Sequence, residues 1–555
     1  MQTHYVILDN PDDASPFFEG FNGIQVLRPG HIAEILLRVD AEKNFRLRYS
    51  PGIVSGKGNV NDVFRHHFAF YAETLNRVMS SIASRDFIEL LLGQYDRSCE
   101  IDLLAKIDQL SPERNARWQH LGPVLRRALK YLAERVVMLS PTSPLPQNPN
   151  ILRVAETALI CAEMLTRLYI ESDRAYFLPG EPAIEVLPEG ESDIYRNVAE
   201  DIFGAKMLPR IERDRQRRKD FLPLMPPQMY PAEQDSFLAD AFLQAIGISL
   251  NEALAVIHET IKRSVPHPRG FNTLYCRKQM MIVELSKASG HSAKSVQSAL
   301  DGFTVTKEGL LSEGREIFKP KQEYRAYRRA FFEMPHETGP HLAWSKEMAI
   351  ESYIQLGMGI AHGQFPREWK SPDVMAAGSR LSNALGKWFE SAVANNLGKM
   401  GIIGVTSAKC QIGRGASAVR IPQDIGEIDF LGISPRDNAL IVAECKCVRG
   451  SYEPNTDRDD IKDFITGNNA YMKKLAKKAD WVFKNVASVC SALPSVIGAG
   501  SRTDLNRVHS IMITYYPSPA ALFWDKTPCV SLTEFMLDYQ DKGAWPYTNG
   551  ILSPT

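Results

Sequence analysis

Two short apolar segments in the last third of the chain constrain its fold more than any other feature. They span residues 428–431 and 439–443, and a polar turn separates them. Segments of this length, rich in Ile, Leu and Val, are typical of strands buried in a sheet. Because side chains alternate between the faces of a strand, Glu444 and Lys446 should share one face, with Cys445 on the other. The sequence therefore predicts a buried hairpin that ends in charged side chains.

The charged residues of this hairpin predict a chemical site. If the two strands pair, Asp429 can join Glu444 and Lys446. Two carboxylates supply the hard oxygen ligands that suit Mg²⁺, and an ammonium beside them can meet a phosphate or orient a water molecule. Unpaired charge at the end of a buried strand is costly, which favours a functional explanation over a solvated surface pair. We therefore predict a site for phosphodiester hydrolysis.

This arrangement resembles the PD-(D/E)XK nuclease superfamily. The resemblance rests on Asp429, on the spacing of 15 residues to Glu444, and on an acid-x-lysine triplet that ends at Lys446 after an apolar strand. It covers about residues 375–520, where a helix, three strands, a helix and a further strand are expected in the order of the family. The resemblance implies a restriction-endonuclease-like α/β/α domain with a mixed central sheet over residues 375–555.

The resemblance also implies a cofactor and roles for individual residues. Asp429, Glu444 and the backbone carbonyl of Cys445 would hold Mg²⁺, with Mn²⁺ able to substitute. Lys446 would orient the attacking water, accept its proton or stabilise the developing charge. Glu390 lies on the helix before the strands, where many members of the family carry a glutamate that faces the metal. Direct in-line attack by water needs no covalent enzyme intermediate.

The chain departs from the family pattern at two positions. Asp429 follows Ile428 where the family name has proline, and Tyr471 has Gly467 four residues before it in place of the glutamine of the RecB-like branch. The second departure puts membership of that branch in doubt. Glu427 should point to the same side as Asp429 and is either a further ligand or a supporting acid. Lysines of the later helix either contact the substrate backbone or form a soluble helix face: Lys473, Lys474, Lys477 and Lys478.

The residues before this domain divide by pattern into two regions. Strand-like pieces among Asn, Asp, Pro and Gly clusters predict a small α/β segment over residues 1–65. These pieces are residues 5–8, 23–27 and 33–39. Over residues 66–372, apolar residues that recur every three or four positions predict a mostly helical region for recognition or regulation. Within it, the arginine-rich run 210–219 and the prolines after it predict a linker or exposed loop.

Two motifs in the helical region are candidates for nucleic-acid contact. Residues 281–300 have the spacing of a helix-turn-helix, with Gly290 between the helices and Leu285 and Leu300 as core positions. The alternative is an ordinary helical hairpin whose glycine ends the first helix. The second motif is a basic cluster interleaved with aromatic residues, which is either a phosphate-binding surface or an amphipathic core helix. The basic residues that it would present to nucleic acid are Arg325, Arg328 and Arg329.

Composition limits how the protein can bind its partners. The chain of 555 residues carries 65 basic and 65 acidic residues, so any affinity for nucleic acid must come from local patches. Eight cysteines without zinc-like spacing indicate buried thiols in a reducing compartment. No uncharged apolar run reaches the roughly 18 residues that cross a membrane, and the first residues lack a signal-peptide pattern. We expect a cytoplasmic protein without a membrane partner.

Together these features predict a multidomain α/β protein whose function is Mg²⁺-dependent endonuclease cleavage. DNA is favoured over RNA because most relatives of the implied fold cut DNA. A recognition region joined to a nuclease resembles restriction or antiviral (antiphage) defence effectors, and endonucleases of DNA repair and transposition share the plan. The alternative from another class is an inactive nucleic-acid-binding or scaffold protein. Cutting both strands in one event needs two sites, which predicts a homo-oligomer, and a partner protein encoded nearby is a further candidate.

Overall fold

The chain forms two compact units. The computed structural model describes residues 17–141, 151–198, 201–266, 272–312, 325–415, 418–450, 454–497 and 505–553. The first unit comprises Met1–Tyr176, Glu181–Ala199 and Pro231–Gly378. The second comprises Phe177–Gly180, Glu200–Tyr230 and Ser379–Thr555. The second unit therefore combines the C-terminal part of the chain with a short segment from its middle.

Long helices form the N-terminal part of the first unit. They are α1 (His31–Arg46), α2 (Lys57–Met79), α3 (Arg85–Lys106), α4 (Pro112–Leu139) and α5 (Ile151–Phe177). Ser84 and Ser111 cap α3 and α4, since their hydroxyls accept hydrogen bonds from backbone N–H groups of the first turn. The helical periodicity predicted for this stretch is confirmed.

Residues 33–39, which we predicted to form a strand, lie inside α1. The side of this helix that is shielded from solvent carries Leu37, Ala41 and Phe45, which recur every four residues. Leu37 is partly buried, and Ala41 and Phe45 are fully buried. The prediction was wrong because a short run of Ile, Leu and Val does not distinguish a strand from one turn of a helix. Residues 5–8 lie outside the described residues.

Two small antiparallel sheets complete this part of the first unit. Strands β1 (Phe17–Phe21) and β2 (Ile24–Arg28) form a hairpin. Strand β3 (Gly52–Ser55) pairs with β4 (Ala183–Val186), which pairs with β5 (Tyr195–Asn197). Because β3 completes a sheet with strands about 130 residues later, residues 1–65 are part of the first unit and do not form a unit of their own.

The arginine-rich segment that we predicted to be a linker is a helix of the second unit. This helix, α6 (Leu208–Arg217), follows a π-helical turn. Arg210 Nε donates to Glu534 Oε1 at 2.6 Å, and the buried Asp214 accepts a hydrogen bond of 2.8 Å from Ser531 Oγ. The prediction failed because the partners of these charges are more than 300 residues away in sequence.

The C-terminal part of the first unit contains a sheet that the sequence pattern did not predict. Its helices are α7 (Pro231–Ile246), α8 (Leu250–Lys262), α9 (Lys278–Ser289), α10 (Ala293–Asp301), α11 (Lys307–Ser312) and α12 (Lys346–Ala361). Its strands are β6 (Val265–Pro266), β7 (Asn272–Arg277), β8 (Thr304–Val305), β9 (Phe331–Met334) and β10 (His341–Ser345). They lie in the order β6-β7-β10-β9-β8. Residues 66–372 are therefore mostly helical but not wholly so.

A mixed sheet forms the centre of the second unit. Its strands are β11 (Ile403–Ala408), β14 (Ile428–Ser434), β15 (Ala439–Lys446), β16 (Arg507–Thr514), β17 (Cys529–Ser531) and β18 (Ile551–Leu552). Two further short strands, β12 (Gln411–Ile412) and β13 (Val419–Arg420), pair with each other. Strand β14 is antiparallel to β11 and β15, whereas β15, β16 and β17 are parallel.

Helices cover both faces of this sheet. They are α13 (Pro372–Lys399), α14 (Pro454–Ile461), α15 (Tyr471–Lys484), α16 (Val486–Ala492), α17 (Pro494–Ile497) and α18 (Leu532–Lys542). Helices α13 and α18 pack against one buried face of the sheet, which includes Phe430 and Ile441. Helices α15 and α16 pack against the opposite face, which includes Leu431 and Val442. The expected α/β/α layers with a mixed sheet are present, in the predicted order of elements.

Two expectations drawn from composition have different outcomes. Within the described ranges no single helix is long and apolar enough to cross a membrane; α7 and α8 meet that test only as a pair bent by 77°. The eight cysteines are free thiols, but Cys410 is exposed and Cys99, Cys276 and Cys447 are partly exposed. The expectation that every cysteine is buried was therefore wrong.

Candidate active site

Strands β14 and β15 bring Asp429 and Glu444 together. The register places Phe430 opposite Ala443, so the two acids lie on neighbouring strands at the same end of the hairpin. The backbone N–H of Cys445 donates to Asp429 Oδ2 at 2.9 Å, which fixes this carboxylate across the strand pair. Asp429 is 6% exposed and Glu444 is 3% exposed. Buried carboxylates need such partners because their desolvation is costly.

Lys446 lies between the two carboxylates. Its Nζ is 3.0 Å from Asp429 Oδ2 and 2.8 Å from Glu444 Oε1. Strand alternation places Glu444 and Lys446 on the sheet face that α15 covers, with Cys445 on the opposite face among the buried apolar residues. The structure thus brings Asp429, Glu444 and Lys446 together, as the sequence predicts.

Lys478 on helix α15 is a fourth member of this cluster. Its Nζ is 2.5 Å from Glu444 Oε2 and 4.0 Å from Asp429 Oδ1. Its side chain is only 7% exposed. We predicted Lys478 to be one of several substrate-facing or solvated lysines, and neither description fits a buried ion pair. The sequence feature that could have indicated the burial of Lys478 is its position beside Leu475 and Val482, on the apolar face of an amphipathic helix.

The four side chains form a site whose formal charges balance. Two carboxylates face two ammonium groups, and each lysine lies within 4.0 Å of both acids. Burial by itself lowers the pKa of Lys446, but attraction by Glu444 and Asp429 outweighs it and raises the pKa above its usual range. Lys446 therefore remains a cation at neutral pH and is not a proton acceptor in this arrangement. We name these residues the acid-lysine cluster: Asp429, Glu444, Lys446 and Lys478.

Glu390 and Glu427 belong to a different polar network. Lys387 Nζ lies 3.2 Å from Glu390 Oε2 and 2.5 Å from Glu427 Oε1. Ser407 Oγ donates to Glu390 Oε2 at 2.5 Å, and Lys409 Nζ lies 2.8 Å from Glu427 Oε2. Although partial burial favours a higher pKa for Glu427, hydrogen bonds from Lys387 and Lys409 lower it to about 2.

The structure does not bring Glu390 into a three-carboxylate metal shell. Among the described residues, no group of three or more His, Cys, Asp or Glu side chains is arranged to hold a metal ion. Glu390 is buried, as a functional acid can be, but its hydrogen-bond partners are Lys387 and Ser407. The expectation that Glu390 lies beside Asp429 and Glu444 as a ligand is therefore not met.

The donor set of the acid-lysine cluster nevertheless suits a hard divalent cation. Asp429 and Glu444 offer carboxylate oxygens, and oxygen is the ligand that Mg²⁺ prefers. Their negative charge is now matched by two ammonium groups of flexible side chains. A cation could bind these oxygens if one lysine withdraws, since a free ammonium can then turn to another anion.

The other lysines of α15 differ from Lys478. Lys473, Lys474 and Lys477 are exposed. Lys477 Nζ lies 2.8 Å from Asp424 Oδ2, and Lys473 donates to the carbonyl of Gly467. Tyr471, at the start of the helix, places its ring centroid 5.0 Å from Lys446 Nζ. The exposure of these three lysines is compatible with both predicted roles, a soluble helix face and contact with a nucleic-acid backbone.

The predicted basic cluster of the first unit is occupied by internal contacts. Arg329 is 2% exposed and forms paired hydrogen bonds with Glu368, at 3.0 and 2.8 Å. Arg325 forms an ion pair with the buried Glu134. Arg328 donates to the side chain of Gln364. These partners are protein groups distant in sequence, so interpreting Arg325, Arg328 and Arg329 as an open nucleic-acid surface was wrong.

Comparison with known proteins provides no match for this chain. No protein-family model, no curated protein and no solved structure matches it.

Proposed function

We propose that the protein is a Mg²⁺-dependent nuclease that hydrolyses phosphodiester bonds, with DNA as the favoured substrate. The observation that carries this proposal is the acid-lysine cluster at the end of the β14–β15 hairpin. Asp429 and Glu444 are both less than 7% exposed, and two lysines lie against them. Concentrating four charges at the end of a buried strand pair costs desolvation free energy that apolar residues would avoid, which supports a functional origin.

The surrounding fold supports the same proposal. Helix α13 precedes β11, β14 and β15, and helix α15 and strand β16 follow them. This order, with β14 antiparallel to β15 and β15 parallel to β16, is the one that resemblance to the PD-(D/E)XK superfamily implies. We therefore propose a restriction-endonuclease-like domain in the second unit. We further propose that the nuclease acts in restriction or antiviral defence, or alternatively in DNA repair or transposition.

Asp429, Glu444 and the carbonyl of Cys445 are the groups that would hold Mg²⁺, and Mn²⁺ would substitute. When bound, the ion would polarise the scissile phosphate and lower the pKa of a water molecule. The N–H of Cys445 keeps Asp429 oriented by donating to Oδ2, while Oδ1 accepts no hydrogen bond from Lys446. Glu390 is not placed in this set, because among the described residues no group of three such side chains is arranged to hold a metal ion.

The two lysines have separate roles in the proposed reaction. Lys446, held as a cation by Glu444 and Asp429, stabilises negative charge at the phosphate and orients water. Its raised pKa argues against a role as general base. Lys478 approaches Glu444 from the helix at 2.5 Å and keeps this carboxylate oriented. It is a positioning residue in this scheme.

One observation favours a second candidate function, that of an inactive nucleic-acid-binding or scaffold protein. The acid-lysine cluster is electrically balanced without any further ion, since each acid has a lysine within 3.0 Å. A balanced buried cluster can be purely structural. The two candidates differ in whether cleavage depends on metal and on the two acids.

Metal-dependent cleavage by the full chain distinguishes the two. Supercoiled plasmid, linear duplex DNA, single-stranded DNA and RNA would be incubated with Mg²⁺, Mn²⁺ or EDTA. Asp429→Asn and Glu444→Gln should each reduce cleavage about a hundredfold or more, because each neutralises a metal-binding carboxylate. Asp424→Asn is the matched control, since Asp424 is an exposed acid of the same unit. Wild-type cleavage by Glu444→Gln would refute the site.

A further inference from the structure

Helices α8, α9 and α10 form a three-helix cluster beside a β-hairpin in the first unit. Buried apolar side chains hold the helices together, among them Ile257, Ile282, Leu285, Val296 and Leu300. Strand β7 precedes α9, and β10 pairs antiparallel with both β7 and β9. The spatial order β7-β10-β9, with α9 and α10 directly after β7 in sequence and β8 and α11 before β9, is that of a helix-turn-helix followed by a β wing.

The turn between α9 and α10 is tight and defined. Gly290 ends α9 with φ 76°, a left-handed conformation that glycine adopts without strain. Ser286 Oγ donates to the carbonyl of His291 at 2.6 Å, which closes the turn. Ser292 then caps α10 by accepting from the backbone N–H of Ser295. Two residues separate the cap of α9 from the start of α10, so the two helices are rigidly connected.

Helix α10 exposes polar side chains that have no partner among the described residues. Ala293, Lys294 and Gln297 are exposed at its N-terminal end. In the part of the chain that the structure describes, the side chains of Lys294 and Gln297 have neither an ion pair nor a hydrogen bond. Lys287, exposed near the end of α9, is likewise without an ion pair there. Three side chains able to donate hydrogen bonds are therefore free around the turn.

The neighbouring acids of the three helices have partners of their own. Glu284 lies 2.5 Å from Arg263, and Asp301 lies 2.8 Å from Lys278. Glu252 accepts a hydrogen bond from the backbone N–H of Ser249. Among the described residues, none of these acids forms an ion pair with Lys287 or Lys294. Glu337, on the turn between β9 and β10, is an exposed acid.

We propose that this helix-turn-helix binds double-stranded DNA. Helix α10 would enter the major groove, where N-terminal residues of a second helix meet base edges. Lys294 and Gln297 can donate to base acceptors, the glutamine amide in two directions, and Lys287 can meet a phosphate. B-form DNA fits this shape because its major groove admits a helix, whereas the deep, narrow groove of an RNA duplex does not.

This inference adds a recognition element to the nuclease. Where it names duplex DNA as the substrate to be cut, it rests on the proposed function. Binding itself depends only on residues of the first unit and requires no metal. A binding measurement can therefore succeed or fail independently of cleavage.

Equilibrium binding to the full chain tests the proposal. The protein would carry Glu444→Gln, be kept in EDTA, and be titrated into a labelled random-sequence DNA duplex of about three helical turns. The double variant Lys287→Ala/Lys294→Ala should bind about tenfold or more weakly, and its plot of log affinity against log salt should be shallower by about one, because Lys287 is the phosphate contact. Gln297→Ala should flatten differences among duplex sequences. Lys43→Ala, at an exposed lysine of α1, is the matched control and should bind normally.

Each other result would overturn the inference. Equal affinity of the double variant and the Lys43→Ala control would exclude this face as the DNA contact. Tighter binding to an RNA duplex or to single strands than to duplex DNA would exclude groove reading by α10. Absence of duplex binding with intact Mg²⁺-dependent cleavage would reject the inference while leaving the proposed function standing. Circular dichroism and thermal unfolding of each variant establish that the fold is retained.

Discussion

Lys478 Nζ lies 2.5 Å from Glu444 Oε2, although 34 residues separate the two in sequence. Lys446 meets the other oxygen of the same carboxylate at 2.8 Å. Glu444 is therefore held from the strand on one side and from helix α15 on the other. This double contact explains how a carboxylate that is 3% exposed is stabilised at the end of a buried strand.

Replacing Lys478 by methionine should reduce Mg²⁺-dependent cleavage at least tenfold, because Glu444 loses the contact that orients it. Unfolding should also become easier, since breaking a buried ion pair costs about 3–5 kcal/mol. Lys484→Met is the control: Lys484 is exposed at the end of the same helix, so both properties should stay near those of the parent. Cleavage assays and urea unfolding measure the two effects. Full cleavage by Lys478→Met would remove this residue from the site.

Replacing Arg329 by methionine should destabilise the first unit by roughly 3 kcal/mol. Arg329 is buried and forms two hydrogen bonds with Glu368, so the substitution leaves an acid without its partner. Arg153→Met, at an exposed arginine of α5, should change the free energy of unfolding by less than about 0.5 kcal/mol. Denaturant unfolding compares the two. Unchanged stability with weakened DNA binding would restore the nucleic-acid role that the buried contacts argue against.

The contribution of His509 to the stability of the second unit should fall as pH drops from about 6.5 to 4, while protonation of the partly buried Asp460, whose pKa desolvation raises to about 7, acts in the opposite direction. Burial lowers the pKa of His509 to about 4; the nearby Asp437 opposes this effect and Arg507 adds to it. In this window the unfolded state takes up a proton at His509 that the folded state does not, so protonation of this residue favours unfolding. His509→Phe should raise the unfolding midpoint at pH 4 relative to that at pH 6.5, compared with the parent, whereas His120→Phe, at an exposed histidine, should leave this difference as in the parent. Equal pH dependence of both variants would contradict the assignment.

If the protein cuts both DNA strands in one event, it should do so as a homo-oligomer, since one acid-lysine cluster serves one strand. Light scattering gives the mass of the assembly at the concentration of the cleavage assay. Plasmid should then pass directly from supercoiled to linear. A monomer that only nicks the plasmid would contradict the proposed assembly, and dependence on an added protein would indicate that a partner completes it.

Local sequence alone determined the strand pair and its charged end. Residues 428–434 and 439–446 lie where an apolar run, a turn and alternating side chains place them, and Asp429, Glu444 and Lys446 meet as that pattern predicts. The spacing of apolar residues likewise predicted helices α2, α3 and α4. These features depend on neighbours a few residues apart, and such interactions leave a regular signature in sequence.

Tertiary structure decided which charges are internal and which are free. Arg210 and Glu534 are 324 residues apart, and the sequence gives no sign that they pair. The same holds for Arg329 with Glu368, for Lys478 with Glu444, and for Glu390, which joins Lys387 and Ser407. The amino-acid sequence does not distinguish a charged residue that is exposed to solvent from one that lies in a buried ion pair. Only the chain's three-dimensional path determines whether desolvation is offset by a partner, because Coulomb attraction depends on distance in space and not on distance in sequence.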